Sequence, residues 1–437
     1  MNIRNFVAAF SVALGLPLMA GATPAPSGSD CFSLQLAECP TPFDPQIPDA
    51  SKMLSWQGED RIIGLRNTWR MYPGDVFRPG HGTPSPLPRA EHPLSDIHYR
   101  FAGQARDLPT YLAHQRVAGL LLLKDGGIAL EYYGFGNSEK TLWTSRSVAK
   151  SVVSTLVGIA IREGRIHGID DPIVQYLTEL KQTAWDGVTL RQLITHTSGI
   201  DWHEKYDDPK SDFAALTQCE ATDDPYPCII QLVASRPRSA GISPGEVWSY
   251  NTGGAWLVGR VLEQATGMAI ARYLETRLWS REPMEREGVW QALVPGRIDM
   301  GGHGFNASLR DWGRFGLFVE RGGRLSDGTQ LLPDGWVKQA TTWVRARGSV
   351  TPETPDGQYG FQWWYNPGET AVGDPDGSLA IARQSFWAEG IYGQAIAIDP
   401  VEHVVMVQWS AWPAAVPDDG TEEEQATFFA AAVAALR

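Results

Sequence analysis

The order of apolar and polar positions changes character along the chain. Val117–Leu123 and Ile128–Tyr133 are β-prone runs joined by Lys124-Asp125-Gly126-Gly127, a hairpin signature. Gln394–Ile398 and Val404–Trp409 flank Asp399-Pro400 and predict a second hairpin. Between these ends the period shifts. Residues 147–164, 189–196, 253–267 and 307–321 repeat apolar side chains at helical spacing. A final helix is predicted to open on Thr421-Glu422-Glu423-Glu424 as a capping box and to run through Phe428, Phe429, Val433 and Leu436. Strands at both ends with helices between them predict an α+β fold. Its economical form is one antiparallel sheet built from both chain ends, flanked by helices, with a helical region inserted at roughly 160–320. Residues 201–246 read as a long loop-like stretch carrying Trp202, Tyr206, Asp207 and Asp208, and loops of that length in a compact enzyme are often lids. Residues 23–100 are rich in Pro and Gly, contain Trp56 and Trp69, and predict an irregular extension laid over the domain at 101–437. No internal repeat is present.

Composition narrows the partners. The chain has 437 residues, 43% of them hydrophobic, which is ample for a large core. A formal charge of −13 argues against a nucleic-acid backbone as partner. Residues 1–22 read as a signal peptide: Arg4, an apolar run from Phe6 to Leu18, then Ala20-Gly21-Ala22. The expectation is a periplasmic or secreted protein that is free of the membrane once the signal is removed. Four cysteines remain: Cys31, Cys39, Cys219 and Cys228. In an oxidising compartment they favour disulfides, and the local pairings Cys31–Cys39 and Cys219–Cys228 are preferred among the three arrangements. Neither C-x-x-C nor H-E-x-x-H occurs, so the reading carries no metal, and no cofactor is invoked.

Two serines compete as nucleophile. Gly241-Ile242-Ser243-Pro244-Gly245 matches G-x-S-x-G, but that elbow needs the backbone N–H after the serine, and Pro244 has none. Ala234–Ala240, with its Pro237, is also a poor strand to precede it. TSRSVAKSVVSTLVG offers the alternative. Ser147 and Lys150 lie three apart and share one helix face. Val148, Val152 and Val153 surround them with apolar atoms, and the helix N-terminus adds positive potential; both lower a lysine's pKa. A lysine placed where charge is expensive can act as the base that activates Ser147. The competing reading is a Ser147 N-cap with a snorkelling Lys150.

Longer segments resolve that choice. TSRSVAKSVVSTLVGIAIREGRIHGIDDPIVQYL, LRQLITHTSGI and PGEVWSYNTGGAWLVGRVLEQATG, in this order, closely resemble the serine β-lactamase/D-alanyl-D-alanine peptidase superfamily. The branch resembled holds class C β-lactamases, family VIII esterases and 6-aminohexanoate-dimer hydrolases, over roughly residues 100–437. The resemblance implies a β-lactamase/transpeptidase-like fold with the site between sheet and helical region. It implies Ser147 as the acylated serine, Lys150 as the motif lysine and Tyr250 as the tyrosine of Y-x-N. A tyrosine beside a cationic lysine is expected to have a lowered pKa and to shuttle a proton to the leaving group.

Two departures bear on substrate. Thr252 stands where Y-x-N has its asparagine, with Asn251 adjacent, and no K-T-G or K-S-G occurs. FWAEGIYGQAIAIDP resembles the strand that carries that motif, with Ala388-Glu389-Gly390 in its place. Gly390 lets substrate approach the backbone, and the N–H groups of Ser147 and Ile391 are the implied oxyanion hole. Loss of the lysine removes the cation for a substrate carboxylate. If Glu389 faces the pocket it should also repel such a group, although strand alternation leaves its direction open. Asn251, Tyr206 in the lid and His303 in GGHGF complete the expected substrate contacts, while Trp363 and Trp364 read as core. The expected activity is acyl transfer to water from small amides or esters. A weak β-lactamase or D-amino peptidase, and a non-catalytic penicillin-recognising module, are the alternatives.

Overall fold

A computed structural model describes residues 30–80, 87–342, 344, 346–347, 359–365, 385–417 and 419–437. The expected signal peptide lies outside the described residues. The elements that frame the site are, in chain order, β1 (Val117–Lys124), β2 (Gly127–Tyr133), α1 (Val148–Arg162), α2 (Asp212–Glu220), α3 (Pro225–Ala234), α4 (Thr252–Thr266), α5 (Leu309–Glu320), β3 (Trp364–Tyr365), β4 (Phe386–Gly390), β5 (Gln394–Asp399), β6 (Val404–Ser410) and α6 (Thr421–Ala435). The strands form one antiparallel sheet of order β3-β4-β5-β6-β1-β2, so both chain ends build it, as the pattern predicts.

Alternation along the strands divides the core. Leu121, Leu123, Ile396, Ile398, Val405 and Val407 join the cluster that contains α1 and α5. Leu120, Leu122, Trp387, Ala397 and Met406 face the other way, onto Phe428, Phe429 and Val433 of α6. Each fully buried leucine of β1 contributes roughly 1.5–3 kcal/mol, and two faces covered by helices explain why this strand is apolar from Val117 to Leu123. The β1–β2 turn uses Asp125 (φ 50°) and Gly126 (φ 80°), the two positive-φ positions of a tight hairpin.

Three expectations need correction. Residues 201–246 are not one loop: α2 and α3 form a helical pair bridged by Cys219–Cys228. Ser211 caps α2, and Phe213, Leu216, Ile229 and Val233 supply a buried helical face. The capping box at Thr421 does not form. Gly420, with φ 83°, holds the N-cap position, and the Thr421 amide and hydroxyl both donate to Asp419. The N-terminal segment is more than a covering. Gly74–Phe77 pairs with Gly288–Val294 in a second, smaller sheet that continues through Phe305–Ala307 to Trp143–Thr144. Phe77 is fully buried against Trp279 at 4.8 Å and Phe305 at 5.6 Å. The second bridge joins Cys31 and Cys39, so both preferred pairings are formed.

Candidate active site

The short strand Trp143–Thr144 delivers the chain to the start of α1, where Ser145 N–H donates to the Phe305 carbonyl at 2.8 Å. Arg146 follows with φ 47°, a left-handed conformation that a long side chain adopts only under constraint. Ser147 holds the N-cap position of α1, yet its hydroxyl caps nothing. It faces Lys150 instead, with Oγ 2.8 Å from Nζ. The helix is buried over Val148–Ala160, which is why Lys150 is only 1% exposed.

Nζ of Lys150 also donates to the Gly302 carbonyl at 2.8 Å and lies 5.1 Å from the Tyr250 ring centroid. Burial pulls the lysine down from 10.5 to about 8, while the Glu204 and Glu220 carboxylates pull the other way. With a pKa of about 8, about a tenth of the molecules carry a neutral amine at pH 7, against about one in three thousand for an unperturbed lysine.

Tyr250 departs from expectation. Its pKa is raised rather than lowered, chiefly because the phenol is desolvated, with Glu204 and Glu389 adding to the rise and a hydrogen bond with Ser147 opposing it. Lys150 lies over the ring face and does not offset that burial. Tyr250 is therefore a protonated phenol. It is held by Trp364, stacked at 5.8 Å, by His196 at 4.5 Å and by Tyr359 at 6.0 Å. Trp363 packs on Phe386 in the core, so only Trp364 of that pair belongs to the site wall.

Gly390 ends β4 directly against the serine. A Cβ there would lie 2.6 Å from Ser145 O and 2.9 Å from Ser147 N, so no larger residue fits without moving one chain. This brings the turn that begins with Ile391 beside the Ser147 amide, the neighbourhood an oxyanion hole requires.

The expected substrate contacts behave differently from one another. Asn251 is the N-cap of α4, with Oδ1 accepting from Gly254 N at 2.6 Å, while its buried Nδ2 has no partner among the described residues. Tyr206 packs edge-on against Phe213 at 4.9 Å, and its phenol lies within reach of Glu204 and Tyr250. His303 is 6% exposed, with Nε2 2.9 Å from Glu220 Oε1, next to the carbonyl that binds Lys150. Glu389 lies on the face of β4 that carries Trp387. Burial and repulsion from Glu422 raise its carboxyl well above the usual range, so the anion expected to repel substrate carboxylates is disfavoured. Ser243 is exposed in a turn where its N–H meets Glu246, far from the strand-to-helix setting an elbow needs.

Sequence reasoning missed Glu204, Glu220, His196 and Arg146. Both ring nitrogens of His196 are buried without a partner among the described residues, as are Nε and Nη2 of Arg146. His196 stands in the quoted LITHTSG run, and Thr252 in the altered motif was the available signal for Glu204.

Comparison with known proteins gives the family and the fold. The family profile described as Beta-lactamase matches residues 105–430, and the chain belongs to that family. Fold and family together define a hydrolase of the serine β-lactamase superfamily. The chain is 29% identical over 326 residues to a 6-aminohexanoate-dimer hydrolase of Paenarthrobacter ureafaciens, covering 70% of this chain and 76% of that one. It is 27% identical over 203 residues to penicillin-binding protein 4* of Bacillus subtilis, covering 43% and 41%. In structure it resembles a Bacillus anthracis protein proposed as a 6-aminohexanoate-dimer hydrolase, with a TM-score of 0.70, 21% identity and coverage of 86% and 93%. EstCE1, a hydrolase with promiscuous acyltransferase activity, has the same fold at a TM-score of 0.52 and 14% identity, covering 74% and 96%.

Proposed function

We propose that the protein is an exported serine hydrolase that forms an acyl-enzyme on Ser147 and hydrolyses small linear amides or esters, as a 6-aminohexanoate-dimer hydrolase or a carboxylesterase does. The observation that carries this reading is the 2.8 Å contact between Ser147 Oγ and a buried Lys150 whose pKa is about 8. The neutral amine takes the serine proton as Oγ attacks the carbonyl carbon. The carbonyl oxygen is received by the Ser147 and Ile391 N–H groups. The Tyr250 phenol gives its proton to the leaving nitrogen or oxygen and regains one from the Lys150 ammonium, so the first half-reaction ends with Lys150 neutral again. Water then enters by the same path in reverse and releases the acid. Ala388 leaves no cation where K-T-G enzymes hold a substrate carboxylate, which disfavours penicillins. The two disulfides support export.

The test is labelling by a fluorophosphonate followed by turnover of p-nitrophenyl esters, short linear amides and nitrocefin. Ser147 should carry the adduct, and Ser147→Ala should lose labelling and on the order of 10⁴–10⁶ in rate. Nitrocefin should be the poorest substrate. An adduct on Ser243 would overturn the scheme.

A further inference from the structure

The altered Y-x-N motif has a structural counterpart in residues 201–211, the non-helical start of the expected lid, hereafter the lid. Thr252 opens α4, two residues after Tyr250, and both its polar groups point to one carboxylate. The Thr252 N–H donates to Glu204 Oε2 at 3.0 Å and its hydroxyl to Oε1 at 2.6 Å. The Trp202 indole donates to the same Oε2 at 2.5 Å, and the Tyr206 phenol lies within electrostatic reach of Glu204. The Glu204 side chain thus ties Trp202 and its own segment to the start of the helix that follows Tyr250. Trp202 in turn fills the space above α4, since a Cβ at Gly253 would meet its ring at 2.7 Å. The lid is anchored at its far side by His203 N–H on Asp212, which pairs with Arg236.

The carboxylate is also electrically coupled to the chemistry. It opposes the burial that lowers Lys150, and it acts on Tyr250, Tyr206 and Tyr359. The other groups that face Lys150 are Glu220, which acts in the same direction, and the buried His196, which is itself disfavoured as a cation by Lys150.

We propose that Glu204 is a positioning residue for this acyl-transfer site: it clamps the lid to Thr252, holds Tyr206 beside Tyr250, and is the counter-charge for the ammonium that Lys150 becomes on taking the serine proton. Thr252, in place of the asparagine of Y-x-N, adds a hydroxyl donor beside its own amide at this helix end. The inference rests on Ser147 and Lys150 acting as stated under the proposed function.

Glu204→Gln separates the two roles. Glutamine keeps an oxygen for the two N–H donors, and its amide can donate to the Thr252 hydroxyl, so the clamp survives while the charge is lost. The rate of Ser147 labelling by a fluorophosphonate is measured against pH in wild type, Glu204→Gln and Glu204→Ala, with melting temperatures alongside. A carboxylate stabilises the ammonium and raises its pKa, so removing it should move the rising limb to lower pH by roughly half to one unit in Glu204→Gln. Glu204→Ala should show that shift together with a loss of about tenfold or more in kcat/KM for linear amides, since lid and Tyr206 are released. Coincident limbs in wild type and Glu204→Gln would overturn the counter-charge, and wild-type kcat/KM in Glu204→Ala would overturn the clamp. A wild-type enzyme not labelled on Ser147 would instead defeat the proposed function itself.

Discussion

Gly390→Ala is the sharpest small perturbation of the site. The added methyl carbon would stand 2.6 Å from Ser145 O, 2.9 Å from Ser147 N and 3.0 Å from Arg146 Cβ. Ordinary contacts between such atoms begin near 3.5 Å, so strand and serine must part by about 0.5–1 Å. Gly390 lacks the positive φ that would make alanine strained by itself, so the effect is steric. Overpacking of this kind costs about 1–3 kcal/mol of stability, which a chain with so large a core tolerates. The catalytic effect should be larger in proportion. A displacement near 1 Å at a reacting centre lowers rate by about 10²-fold, and loss of one oxyanion donor lowers kcat by about 10²–10³-fold. The assay is kcat and KM for a p-nitrophenyl ester, with the melting temperature of the same preparation. The expected result is a kcat lower by about 10²–10³-fold with a folded protein and a KM changed by less than about tenfold. A folded variant within about threefold of wild type in kcat would refute the placement of the carbonyl oxygen between Ser147 and Ile391.

Other outcomes follow from the same geometry. Lys150→Arg should be inactive in ester turnover although the charge is kept, because arginine cannot give up its proton. Lys150→Met should be inactive but more stable: a lysine depressed from 10.5 to about 8 burdens the fold by roughly 3 kcal/mol at pH 7. That burden is fully present below pH 8 and is relieved as pH rises toward 10.5, so the gap between melting temperatures should close over that range. Cys219→Ser paired with Cys228→Ser should lower stability by about 2–3 kcal/mol in denaturant titrations, and intact protein from an oxidising compartment should show no alkylatable thiol. Glu389→Gln should move the ratio of kcat/KM for matched anionic and cationic esters by less than about threefold, since burial and repulsion from Glu422 already disfavour its anion.

Much of the fold was legible because local pattern and tertiary position agree. The two hairpins, the helices beginning near 148, 190, 252 and 309, and both disulfides stand where period, turn residues and cysteine spacing put them. The same holds for the contact between Ser147 and Lys150, which helical geometry dictates. What escaped the sequence depends on long-range burial. The Tyr250 phenol was expected to titrate low from its neighbour's charge, but its environment is set by Trp364, His196 and Tyr359, which arrive from distant segments. Glu204 and Thr252 are 48 positions apart, and no spacing rule joins a lid glutamate to a helix start. The capping box fails because the Thr421 amide and hydroxyl both donate to Asp419, and the Glu424 carboxylate accepts from Tyr99 and Gln115 instead.

The charges around Lys150 explain why its pKa settles near 8 rather than far lower. Burial alone drives an ammonium toward the neutral form by as much as several units, and the valines of α1 supply that burial. A lysine neutral at every pH would make a poor acceptor, because basicity falls with pKa and the proton of an alcohol must be held once taken. Glu204 and Glu220 act against that extreme. Both sit within electrostatic reach of Lys150, and neither touches Nζ, whose hydrogen-bond partners are Ser147 and Gly302. A carboxylate in direct contact would fix the ammonium and remove the base. At a distance it stabilises the charged intermediate while leaving the amine free to reach Ser147. Glu204 is held back by Thr252 and Trp202, and Glu220 by His303 and Gln291. Releasing either carboxylate from its clamp should therefore suppress the base by letting the carboxylate approach Nζ. On this reasoning Thr252→Val, which leaves the Glu204 charge in place but frees one of its oxygens, should shift the activity limb to higher pH, opposite to Glu204→Gln. Ester turnover between pH 6 and 10 measures the direction, and a shift of the same sign in both variants would sink the distinction between counter-charge and contact.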